Sequence, residues 1–463
     1  MGAFGALDTP ASSWHMRAKD ARSPFRIGPL GSGRTGAGVS SVVSREVNPL
    51  RRTSGCRSRL AQCAVVSAAV VLVYSCAASG SSRPTPHRPS PSIGPSVTTQ
   101  PSAIATTKTV SPAAIQRVDS RVGFVSGWTG LGLAETSDAG ATWRRIAIPA
   151  SRITALRFID ERVGWAGAFV DRDVPQVACQ QAPLTATRPC RGVILRTDDG
   201  GRTWQETLSI VTDGVQGDPI RQLQAVDGER AWAVTLAPSP CPNECPTELR
   251  RTTDGGRTWT TLLQGRIAAI RFASADRGWL AIASTTGAVD VRVTNDGGAT
   301  WVDGLHTTTG QAVGLDAATT QVAWVMTQDG AYCTATTCLK YELFRTGDGG
   351  LTWSSLGNPR RDAGNCPSGH LVGPTLASTE RGWLGLNLGA GGVQGVPGGL
   401  LSTEDGGVTW RCTNSPPNTN LVTAADPLHV WVTSEDRATG ATTLYATEDG
   451  GGTWHAVDLT SLQ

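Results

Sequence analysis

Seven aspartates recur in one setting, Thr136-x-Asp138-x-Gly140-x-Thr142-Trp143, and again around Asp199, Asp254, Asp296, Asp348, Asp405 and Asp449. Carboxylates placed this regularly are candidates for general acid–base work or cation binding. Their neighbours argue for another role. An Asp flanked at this spacing by two Thr can accept backbone and hydroxyl hydrogen bonds inside a tight turn, and the Gly supplies the positive φ that turn needs. The seven aspartates are therefore read as structural.

The other groups with chemistry are eight cysteines, Cys179, Cys190, Cys241, Cys245, Cys333, Cys338, Cys366 and Cys412. Metal binding is one reading, since C-x3-C and C-x4-C loosely resemble zinc spacings. The companion ligands are missing, because His306, His370, His429 and His455 are scattered along the chain. An even count in an exported domain favours disulfides. Proximity pairs Cys179 with Cys190, Cys241 with Cys245 and Cys333 with Cys338, which leaves Cys366 for Cys412. No phosphate-cradling loop, nucleophile elbow or HExxH motif occurs. No catalytic residue, metal or cofactor is assigned.

The elements that carry these residues follow from the repeat. The box tryptophans, Trp143 to Trp454, are spaced by 61, 55, 42, 52, 57 and 44 residues. Thr is at home in strands, and Trp buries a large ring between sheets. A second motif precedes each box: Val122-Gly123-Phe124-Val125, Gly164-Trp165-Ala166, Ala231-Trp232-Ala233, Gly278-Trp279-Leu280, Ala323-Trp324-Val325, Gly382-Trp383-Leu384 and Val430-Trp431-Val432. Short alternating runs precede those, beginning at Ile115, Ile153, Ile220, Ile267, Ala312, Leu371 and Leu421. Each repeat reads strand, aromatic strand, strand, Asp turn, strand. Seven such repeats predict an all-β chain with a single seven-bladed β-propeller of four-stranded blades over 113–463.

The boxes resemble the Asp-box, or BNR, repeat of sialidases, sortilin-like receptors and xyloglucanase-type glycosidases. Their pairing with a Gly-Trp strand looks most like the photosystem II assembly-factor family of WD40/YVTN/BNR-like propellers and its bacterial relatives. This resemblance covers about 113–463; it specifies fold strongly and function weakly. It implies a non-catalytic interaction or assembly protein. The alternative it allows is a glycoside hydrolase of sialidase-like type. Sialidases use three arginines on a carboxylate, a Tyr nucleophile paired with Glu, an Asp acid and an Arg-Ile-Pro signature. Here the nearest match to that signature is Phe25-Arg26-Ile27-Gly28, which lacks the Pro, and the propeller holds only Tyr332, Tyr341 and Tyr445. Xyloglucanases place paired carboxylates between two propellers, and one is present. Carboxylate pairs can still meet by folding, because it is their spatial separation that decides such mechanisms.

In an up-and-down blade, loops between strands 2 and 3 share a face with the blade-to-blade connections, and the Asp turns lie opposite. The long segments 171–192, 236–248, 328–341, 389–398 and 434–442, with the inter-blade stretch 357–370, should then rise from one face. Variable loops on a rigid scaffold are where binding usually resides. Arg172, Arg188, Arg191, Tyr332, Lys340, Tyr341, Arg360, Arg361 and His370 are the residues there that could contact a partner. For any one of them a merely solvated loop position is the competing reading.

The N-terminal quarter has a different character. Of 463 residues 39% are apolar and only 17% charged, with 55 Gly, which suits short strands and tight turns better than helical arrays. Residues 1–76 carry ten Lys and Arg against three Asp and Glu, whereas 113–463 carry 28 basic and 35 acidic residues. An acidic body is a poor partner for nucleic acid. Arg51, Arg52, Arg57 and Arg59 precede an apolar stretch from Ala61 to Tyr74, a secretory signal pattern over 51–76. Val73-Tyr74-Ser75-Cys76 resembles a bacterial lipobox with Cys76 as the lipid-bearing residue, although Tyr74 stands where a small residue is usual. An ordinary cleaved signal or an uncleaved anchor is the other reading. Residues 1–50 are a disordered or mis-assigned extension. Residues 77–112 hold seven Pro with many Ser and Thr, a solvated linker. The expected product is a monomer exported to the outer face of the cell membrane, anchored there as a lipoprotein or secreted, with an envelope protein or glycan as partner.

Overall fold

The computed structural model describes residues 112–127, 132–170, 189–213, 218–238, 246–284, 287–308, 310–329, 340–364, 366–367, 369–387, 399–436 and 439–462. The extension, signal and most of the linker lie outside these residues, as do Cys76, Arg172, Arg188, Tyr332, Cys179, Cys241, Cys245, Cys333 and Cys338.

Seven four-stranded antiparallel sheets follow one another along the chain, each built from four consecutive strands. They form a seven-bladed propeller. The first strands of the blades are Pro112–Arg117, Arg152–Phe158, Ile220–Ala225, Ile267–Phe272, Gln311–Ala317, His370–Leu376 and Thr419–Ala424. Each touches the next and the last touches the first, so these strands line the axis. The ring closes without exchanging a strand between its first and last blades.

The second strands carry the aromatic motif and are the most deeply buried. Gly123–Gly127, Gly164–Phe169 and Ala231–Leu236 are buried at every residue, because a central strand is covered by neighbouring blades on both faces. Trp165, Trp232, Trp279, Trp324, Trp383 and Trp431 are completely buried there, with Phe124 in the first blade. Each ring fills the seam to the following blade. Phe124 stacks on Phe158 at 3.5 Å and Trp232 on Phe272 at 3.8 Å. Where the next first strand ends without an aromatic, the Trp lies directly on glycine: a Cβ at Gly123 would sit 2.2 Å from Trp431, and one at Gly382 2.7 Å from Trp324. At these two seams the glycine is set by close approach of the preceding blade, whereas at Gly164 and Gly278 it is the blade's own Phe158 and Phe272 that stand where a Cβ would go.

The first strands are also joined by side chains. The penultimate positions are Gln116, Arg157, Gln224, Arg271, Asp316, Thr375 and Thr423, one from each blade. Gln116 clamps Phe158 by accepting from its N–H and donating to its carbonyl, both at 2.7 Å. Arg157 donates to Ala225 O, Arg271 to Gln224 Oε1, and Asp316 accepts from Leu376 N. Thr375 donates to Val422 O, and Thr423 accepts from Arg117 N across the closure. Arg271 Nε also lies 2.8 Å from Asp316 Oδ1, joining the fourth blade to the fifth, so every seam carries a polar link, which satisfies groups that burial would otherwise strand.

All seven first strands also contain a register irregularity against their second strand, near the end remote from the Asp turns in six blades and between Val372 and Thr375 in the sixth. Bulges re-aim side chains at the rims of sheets. One segment is shorter than the sequence suggests. Over 434–442 the second strand runs to Asp436 and the third begins at Ala441, so this is strand and tight turn, not a long loop. The alternation Ala-Thr-Thr-Leu-Tyr continues the pairing outward.

Candidate functional site

The Asp turns all adopt one geometry. The leading Thr hydroxyl donates to the Asp, and the second box Gly donates its N–H to that same hydroxyl at 2.7–3.0 Å. The trailing Thr hydroxyl then donates to the other carboxylate oxygen at 2.5–2.8 Å. The second Gly holds φ between 77° and 100° in all seven turns. With both oxygens accepting, the charged form is favoured. The Thr142 hydroxyl, then its N–H, holds Asp138 down at about 2, and the trailing Thr does the same to Asp199, Asp254 and Asp296. Asp348 and Asp449 are lowered further, while burial opposes the shift at Asp405 without reversing it. A carboxylate so engaged is a poor proton carrier and a poor free ligand. Among the described residues no group of three or more His, Cys, Asp or Glu is placed to hold a metal ion.

The consecutive antiparallel order puts turns between strands 1 and 2 at the same end as the Asp turns. The 2–3 loops and the blade connections leave from the other end. The described sequence-predicted residues sort differently on that insertion face. Lys340 is exposed at the start of a third strand, and Arg361 is exposed beside Asp362 at 3.2 Å. His370 opens the first strand of the sixth blade, half-buried. Arg191 lies on the outer strands of the second blade, paired with Glu206 and Ser209.

Tyr341 and Arg360 do not offer themselves to a partner. Tyr341 is only 3% exposed, and its hydroxyl accepts from Leu371 N at 3.1 Å, so burial pushes its phenol up. Arg360 spends Nη1 on Gly369 O at 2.6 Å and Nη2 on Pro367 O at 2.9 Å. Both fasten the connection 357–370 from beneath. Cys366 in that connection is disulfide-bonded to Cys412 on the fourth strand of the sixth blade, with Cα atoms 5.5 Å apart. What reads as a free inter-blade loop is tied down at three points.

Sequence reasoning missed a polar chain at the same mouth. Asn387 donates to Asn420 Oδ1 at 2.6 Å, and Asn420 donates to Glu435 Oε2 at 2.9 Å, bridging the sixth and seventh blades. Asn420 is the unpaired bulge residue of its strand. Arg152 pairs with Asp218 at 3.3 Å between the second and third blades. A signal for part of this set exists: Asn387 and Glu435 each stand four residues after a second-strand Trp, where that strand meets the insertion face.

The hydrolase constellation can be tested at the two described tyrosines. Tyr341 is engaged as above. Tyr445 packs half-buried against the cluster of Trp383, Leu400, Val430 and Val432. Neither is hydrogen-bonded to a carboxylate among the described residues.

No family description matches the chain, and no curated protein does. Solved structures do share its fold. YCF48 bound to a D1 peptide is 18% identical with a TM-score of 0.44, covering 74% of this chain and 92% of its own. The β-propeller domain of the trilobed protease from Pyrococcus furiosus is 9% identical with a TM-score of 0.49, covering 76% and 98%. The GH74 enzyme of Niastella koreensis is 11% identical with a TM-score of 0.38, covering 75% of this chain and 65% of its own. At these identities the likeness is one of fold alone, and the chain is similar to propellers of quite different activities.

Proposed function

We propose that this chain is a non-catalytic interaction protein that recognises an envelope protein or glycan through the insertion face of its propeller. Its signal-like segment exports it, and a lipid on Cys76 holds it at the outer face of the cell membrane, with the Pro-rich linker as tether. One observation carries the reading: the carboxylates of all seven Asp turns are consumed in their own turns, while the long connections leave together from the opposite end. A rigid ring with its variable segments on one side is a scaffold for binding. Release as a secreted, unlipidated protein is the other reading of the same signal, and metabolic labelling with a palmitate analogue in wild type and Cys76→Ala separates the two.

The test of binding is capture from solubilised envelope with the full chain as bait. Lys340→Glu with Arg361→Glu alters exposed charges on the insertion face, and Arg202→Glu with Arg257→Glu alters the Asp-turn face. A partner lost with the first pair and kept with the second supports the proposal. A partner lost only with the second pair refutes it, as does glycoside hydrolysis by the purified chain.

A further inference from the structure

The seventh blade has to meet the first with no chain running between them. In the first blade the fourth strand is followed by Ile148 and Ala150, which pack into the seam to the second blade, and the chain then continues as Arg152–Phe158. The seventh blade repeats the pattern: Val457 and Leu459 stand three and five residues after Trp454, as Ile146 and Ile148 stand after Trp143. Here the chain turns instead into the 3-10 helix Thr460–Leu462. Leu462 N donates to Leu459 O at 3.0 Å and Thr460 N to the Asp458 carboxylate at 2.8 Å, so the turn is closed on itself.

This tail is not a loose end. Val457 and Leu459 are 8% exposed and Leu462 2%. They share one apolar cluster with Trp431, Leu444 and Ala446 of the seventh blade and with Val125 and Ala134 of the first, bordered by Ile115 and Trp143. Arg145, on the fourth strand of the first blade, donates Nη2 to Leu462 O. Arg117 joins the inner edge of the same seam to the last Asp turn, and the tail joins its outer edge. Packing does here what the continuous chain does at the other six seams.

We propose that residues 457–462 are a releasable clasp, and that the seam between the seventh and first blades is where the ring opens, from its outer edge inward. The hold rests on a few apolar side chains and one hydrogen bond from an exposed arginine. Contacts of that kind give way well before the whole fold does. The clasp does not depend on the binding function proposed above.

The test is hydrogen–deuterium exchange of the full chain. Leu459→Ser with Leu462→Ser removes the apolar hold and should speed exchange over 133–146 and 441–456 about tenfold, with 267–272 and 311–317 in the fourth and fifth blades within about twofold of wild type. Arg145→Gln keeps the apolar cluster and should speed the same two segments about threefold. Ile148→Ser is the matched loss where the chain continues, and it should leave 441–456 at the wild-type rate. Exchange that rises equally in every blade, or in none, overturns the proposal. So does an effect of Ile148→Ser on 441–456 as large as that of the clasp variant. If the double variant does not fold, Arg145→Gln decides: acceleration confined to the two segments supports the clasp, and its absence overturns it.

Discussion

Arg117 and Glu448 meet across the closure of the ring, with Arg117 Nη2 donating to both carboxylate oxygens at 2.7 and 2.9 Å. The pair joins the first strand of the propeller to its last Asp turn. The same guanidinium donates to Ser120 O and Thr447 O and lies 5.5 Å from the Trp431 ring centre. Because no strand is exchanged at the closure, side chains alone hold the two ends together. Arg117 is 1% exposed and Glu448 41%. Glu448→Gln should therefore cost about 1 kcal/mol, since water screens the carboxylate. Arg117→Leu should cost about 3 kcal/mol, because it strips several buried acceptors at once. Denaturant unfolding checks the magnitudes, and hydrogen exchange should show strands 112–117 and 419–456 opening before the other blades.

The first Asp turn departs from the rest at one residue. The position before the second Gly is Gly in six turns and Ala139 in the first, where φ is 63°. An L-residue there is strained by roughly 1–2 kcal/mol, and part of the relief is offset by the added freedom of the unfolded chain. Ala139→Gly is expected to stabilise the protein by about 1 kcal/mol in urea melts.

Close approach of blades predicts the opposite sign elsewhere. Gly382→Ala places a methyl 2.7 Å from the buried Trp324 ring. Overpacking of that kind costs about 2 kcal/mol. Gly265→Ala is the control: an added Cβ there meets nothing within 4 Å, and its φ is not positive. It should leave the midpoint where it was.

The depressed carboxylates set the acid limit. Asp138, Asp199, Asp254 and Asp296 titrate at about 2 in the fold against an ordinary value of 3.8. Between those values the unfolded chain binds more protons, so stability falls as pH falls. The contribution is complete above about pH 4 and is lost progressively toward pH 2. Circular dichroism at constant ionic strength should show that limb. In Asp254→Asn it should be shallower by the one carboxylate removed, and an unchanged slope would contradict the assignment.

The architecture was legible because the repeat states it seven times, and each copy places its turn, its Gly and its Trp at fixed offsets. The roles of single residues on the insertion face were not. Tyr341 and Arg360 read as exposed because they flank inserted segments. Their partners, Leu371 and the carbonyls of Pro367 and Gly369, are defined only once the connection folds over them. The Asn387–Asn420–Glu435 chain was hidden for a related reason: it joins two blades through a bulge, and bulges leave no period in the sequence. The inner polar ring was equally silent, since Gln116 and Arg157 look like any solvent-facing positions in an alternating strand. Cys366 and Cys412 could be matched only by elimination, and the three closer cysteine pairs fall on residues that are not fully described.

On the proposed function, a partner meets the insertion face. The most direct measurement is site-specific photo-crosslinking in cells, with a photoreactive residue in place of Lys340 on that face or of Arg202 on an Asp turn. A defined adduct is expected from position 340 and none from position 202. An adduct from 202 alone, or none from either position, would contradict it.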